Sequence, residues 1–109
     1  MNKIFANIPL PIAEPVLEYH CGRDAYMLMY KNCSKADFDA ECKAVESKDI
    51  SLFDSFEIKG NYHNTYRSDV MIHIYYCESE ETMRIVADAT TSYYNTKPEV
   101  CPKICDTTF

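Results

Sequence analysis

The run Val70-Met71-Ile72-His73-Ile74-Tyr75-Tyr76-Cys77 constrains this chain more than any other segment. Alternate side chains of a strand face opposite sides, so Val70, Ile72, Ile74 and Tyr76 share one face and Met71, His73, Tyr75 and Cys77 the other. Both faces are largely apolar, so the strand belongs inside a sheet, with neighbours on both sides and a packed layer against it. A chain of 109 residues can build one such core, and residues 1–109 are read as a single domain. It divides into a proline-containing arm over 1–14, a body over 15–95 and a tail over 96–109.

Pro9, Pro11 and Pro15 each disfavour the helical region in the preceding residue, so the arm is extended. Val16 to His20 is strand-like, and Cys21-Gly22-Arg23-Asp24 connects it by a hairpin to the apolar strand Tyr26–Tyr30. Ser34 is a good N-cap, with Asp37 three residues on, and Phe38, Cys42 and Val45 recur at helical spacing up to about Ser47. Lys35, Asp39, Lys43 and Glu46 form the solvated side of that helix. From Ile50 the period changes: Phe56, Ile58 and Gly60 alternate with Glu57 and Lys59, as in a half-buried strand. The polar, aromatic stretch Asn61–Ser68 reads as a hairpin loop or irregular strand end. Ser79, followed by Glu80 and Glu81, is expected to cap a second helix with Met83, Val86, Ala87, Thr90 and Tyr94 on its buried stripe, ending near Asn95.

A weak echo runs through this order. With a constant offset of 45 residues, Asp24 meets Asp69, Tyr30 meets Tyr75, Ser34 meets Ser79, Ala44 meets Ala89 and Ser47 meets Ser92. The echo is either a duplication or a recurrent local pattern. In both cases the expected architecture is α+β, a two-layer sandwich of order ββαββα: a four-stranded, mainly antiparallel sheet with two helices on one face.

The formal charge of −6 supplies no basic stripe for phosphates or for an anionic bilayer, so neither direct nucleic-acid binding nor membrane binding is expected. A partner found by charge would be basic. No continuous apolar leader region or 18-residue apolar span is visible, which points to a cytoplasmic protein. In that compartment Cys33, Cys42 and Cys77 read as small apolar thiols; in an exported chain the six cysteines could form three disulfides.

Catalytic patterns are scarce. His20 and Cys21 with Cys101 and Cys105 could be drawn as a zinc set, but the spacing lacks a C-x₂-C knuckle, so no metal is expected. His73 and Cys77 share a face yet stand about 13 Å apart along a strand, beyond the contact a nucleophilic pair needs. Asp37/Glu41 and Glu80/Glu81 fall on expected exposed helix faces, where ionised acids are ordinary. With only Gly22 and Gly60, no phosphate-cradling loop can be written, so neither enzyme nor cofactor is expected.

Nine tyrosines are the compositional excess, and tyrosine with arginine is favoured at binding hot spots. Tyr26, Tyr30, Tyr75 and Tyr76 suit a sheet; Tyr62, His63, Tyr66 and Arg67, sharing the expected loop, are the candidate partner-binding residues. In size, acidity and lack of a catalytic signature the chain resembles small phage-encoded inhibitors of host nucleases, including anti-CRISPR and DNA-mimic proteins. That likeness is compositional and assigns no residue. It implies a non-catalytic module that occludes a larger, basic, nucleic-acid-binding protein. The alternative is a small-ligand or nucleotide sensor or sponge, with a cleft lined by tyrosines.

Overall fold

The computed structural model describes residues 3–20 and 24–89. After a short 3₁₀ turn at Lys3–Phe5 come β1 (Leu17–His20), β2 (Ala25–Tyr30), α1 (Lys35–Glu46), β3 (Ser51–Ile58), β4 (Asn61–Arg67), β5 (Met71–Cys77) and β6 (Thr82–Asp88). The strands form one six-stranded antiparallel sheet in the order β1-β2-β6-β5-β4-β3. The chain makes the β1–β2 hairpin, crosses the sheet through α1 to the far edge, and returns strand by strand until β6 closes against β2.

The expected four-stranded, two-helix sandwich is therefore corrected to a six-stranded sheet of order ββαββββ, with one α-helix among the described residues. The second helix is β6. Ser79 caps nothing helical: Glu78–Glu81 is a tight turn, with the Glu81 N–H donating to the Glu78 carbonyl and Glu81 at φ +52°. Serine and acidic residues serve turns as well as helix starts, and an apolar run buried on both sides satisfies the helical and the strand period alike. The pairing decides the matter, because without β6 the inner edges of β2 and β5 would have unpaired backbone in the core. Met83 and Ala87 thus face the helix while Val86 faces the other way, and Thr90 and Tyr94 lie outside the described residues. The echo at offset 45 is no structural repeat, since it lays α1 over β6. The stretch 61–68, expected as a loop, is strand β4, and the proline tail lies outside the described residues.

The expected α1 and β5 are present. α1 opens with a capping box: the Asp37 N–H donates to Ser34 Oγ at 3.2 Å and the Ser34 N–H to Asp37 Oδ2 at 2.8 Å. Its Phe38, Cys42 and Val45 pack on Leu28, Tyr30, Tyr66, Ile72, Ile74, Tyr76, Met83, Ile85 and Ala87 of the sheet. Phe5 and Ile8 of the arm join the same core. Full burial of each large aliphatic side chain is worth about 1.5–3 kcal/mol, so this layer dominates stability. β5, buried at every position, lies between β4 and β6 as its two apolar faces require. On the sheet's second face Ala25, Met27, Tyr75 and Val86 form a separate buried cluster. Cys33 and Cys42 are buried free thiols, but Cys77 is disulfide-bonded, to a partner outside the described residues, which corrects its reading as a thiol.

Candidate functional site

β4 carries all four residues expected to bind a partner, and its alternation divides them. Tyr62 and Tyr66 face the helix; His63 and Arg67 face the second side. Tyr66 is fully buried, its hydroxyl donating to Glu46 Oε2 at 2.7 Å and accepting from Asn64 Nδ2 at 3.1 Å. Burial, followed by the bond to Glu46, pushes the Tyr66 hydroxyl well above its ordinary range. Tyr62 is half-buried beneath the Lys35 ammonium, 4.8 Å from its ring centre, and Lys35 is also paired with Asp39 at 2.9 Å. Arg67 is exposed and lies 4.6 Å over the Phe53 ring.

His63 belongs to a buried polar cluster. Its Nε2 lies 3.3 Å from His73 Nδ1 and 2.9 Å from Thr65 Oγ1, and its ring stacks on Tyr75 at 4.2 Å. Burial lowers both histidines from 6.5 to about 4; His73 lowers His63 further, while Asp54 opposes that shift at His63 and Asp88 opposes it at His73. The two imidazoles are buried, at 7 % and 1 % exposure. Among the described residues no group of three or more His, Cys, Asp or Glu could hold a metal. Of the imagined zinc set only His20 is described, and it stacks on Tyr26 at 4.4 Å.

Glu41, expected on the solvated side of α1, is buried instead, and burial lifts its carboxyl to about 8. An open groove of about 490 Å³ lies between Ala6–Pro9, Lys48, Ile50 and Ser68. No tyrosine lines it.

Two edge strands are exposed along their described length: β1, with Leu17 and Tyr19 at 41 % and 44 % exposure, and the longer β3, whose eight residues are all exposed. Leu52, Phe53, Phe56 and Ile58 are 50 %, 43 %, 39 % and 41 % exposed, so the strand is not the half-buried one its alternation suggests. A bulge separates Leu52 from Asp54 and leaves Phe53 as the extra residue. At its other end Lys59 and Gly60, at φ +49° and +79°, make a two-residue turn closed by the pair Ile58 and Asn61. The residues flanking such a turn exchange both ladder bonds and the pairs then alternate, so Phe56 and Asp54 bond β4 while Glu57 and Ser55 aim their N–H and C=O outward. The Ser55 N–H accordingly donates to the Asp54 carboxylate, at 2.9 Å, and not to β4.

Comparison with family models, curated proteins and solved structures finds no match. Sequence reasoning missed β3 as a site because apolar alternation ordinarily marks a buried face. The available signal was Lys59-Gly60, a two-residue hairpin turn that makes 61–67 the next strand and leaves 51–58 outermost.

Proposed function

We propose that this protein is a non-catalytic protein-binding module that engages its partner through β3. The observation that carries the reading is an eight-residue edge strand exposed along its whole length and bearing four large apolar side chains. Monomeric proteins rarely leave such a strand open, because its backbone is a template for pairing. The net charge of −6 favours a basic partner, including a nucleic-acid-binding protein whose basic surface the module would occlude.

An anti-CRISPR-like inhibitor acting in the cytoplasm is the narrower form of this proposal. It would need the Cys77 disulfide to persist in a reducing pool, whereas such a bond is at home in an oxidising compartment. Among the described residues no helix is long and apolar enough to cross a membrane. Affinity capture from the native host with the intact chain tests the reading: a stoichiometric protein partner is expected, lost on Phe53→Ser/Ile58→Ser and kept on Lys43→Ala. If wild type recovers no partner, or the β3 variant recovers it undiminished, the reading fails.

A further inference from the structure

We propose that the outer edge of β3 accepts an extended segment of its partner in which basic residues alternate with apolar ones, adding a seventh strand to the sheet. The inference rests on the binding-module reading and specifies what is bound. The two edges of the sheet are unequal. β1 has four residues and follows Pro15, so it offers little backbone to pair. β3 has eight, contains neither proline nor lysine, and turns the Ser55 and Glu57 backbone groups outward. Its bulge lies at Phe53, upstream of that pairing stretch. Main-chain bonds to these groups would supply affinity, and the side chains beside them would select sequence.

The selection can be read from β3. A residue added opposite one on β3 stands about 4.5–5.5 Å away on the same face, close enough for charge and packing to count. On the second face the incoming strand meets Asp54, Phe56 and Ile58; on the helix face it meets Ser55 and Glu57. Both ionised residues of β3 are acidic, and the nearest helix cation, Lys35, is held by Asp39. A second copy pairing here would bring the same acids into one strip, a repulsive arrangement. A segment with its basic residues on the helix face sets a cation opposite Glu57 and apolar side chains opposite Phe56 and Ile58.

Synthetic decapeptides test this: one alternating Val with Lys, one alternating Val with Glu, and one copying residues 50–59. Amide hydrogen exchange of the full chain is followed at millimolar peptide. The Val/Lys peptide is expected to slow exchange at Ser55 and Glu57 by about tenfold or more, equal to about 1.4 kcal/mol, without slowing α1. Ser55→Pro, which removes an outward N–H and no β3–β4 bond, should abolish the effect. The double variant Asp54→Lys/Glu57→Lys, which leaves the backbone unchanged, should transfer it to the Val/Glu peptide. Protection by no peptide overturns the proposal, as does equal protection by the basic and acidic peptides. Strongest protection by the 50–59 copy also overturns it, in favour of self-association. Any of these failures leaves the binding-module reading standing if capture still recovers a partner lost on Phe53→Ser/Ile58→Ser.

Discussion

Glu41 and the histidine pair set opposite limbs of this protein's pH dependence. The buried Glu41 carboxyl, raised from 4.5 to about 8, keeps in the native state a proton that the unfolded chain releases earlier. The stability this gives is complete below pH 4.5 and is lost as pH rises toward 8. His63 and His73 run the other way. With both lowered from 6.5 to about 4, the unfolded chain binds protons that the native state does not, so their contribution is complete above pH 6.5 and is lost as pH falls toward 4. A tenfold change in a group's proton affinity on folding is worth about 1.4 kcal/mol, and two histidines outweigh one carboxyl where the windows overlap. Urea midpoints should therefore peak near pH 6.5. Glu41→Gln should flatten the decline between pH 6.5 and 8 and leave the acid limb; an unchanged decline would assign that limb to another group. At Tyr66, removal of the hydroxyl leaves Glu46 and Asn64 without that bond, and Tyr66→Phe should cost about 1 kcal/mol in urea unfolding.

Among the elements, α1 and the β3–β4 hairpin can be tested by single changes. Ser34→Ala removes the cap of α1 and should cost about 1 kcal/mol of stability. Gly60 holds φ +79°, and a Cβ there would lie 3.2 Å from Glu78 Oε1; Gly60→Ala should cost at least about 1 kcal/mol, read as a lower thermal midpoint. A Gly60→Ala protein as stable as wild type would contradict the hairpin geometry and with it the outward aim of Ser55 and Glu57. The legibility of these elements in sequence differs for a physical reason. α1 could be read because Ser34, Asp37 and the Phe38, Cys42, Val45 stripe agree on one conformation. β5 could be read because β-branched and aromatic residues alternate on two apolar faces. β6 could not, because Met83, Val86 and Ala87 fit a helix stripe as well as they fit a strand with both sides buried, and only its partners β2 and β5 choose. Tyr62, His63, Tyr66 and Arg67 are neighbours along the chain, but the alternation of β4 divides them between two faces, which no loop reading contains.

At the scale of the whole molecule, α1 covers one face of a six-stranded sheet, and among the described residues β3 is an edge strand. Sheet growth at that edge would extend a layer already ordered, so binding requires little rearrangement of the body. The disulfide at Cys77 bears on where this happens: unfolded but unreduced protein should show at most four titratable thiols out of six cysteines. Six would mean that Cys77 is reduced in the isolated protein and would remove the argument for an oxidising compartment. Whether the partner binds at β3 is read most directly by hydrogen exchange of the protein, alone and saturated with the partner recovered from its host. Slowed exchange at Ser55 and Glu57 with α1 unchanged is expected; protection confined to α1, or to the groove at Ala6–Pro9 and Lys48, would contradict binding at β3.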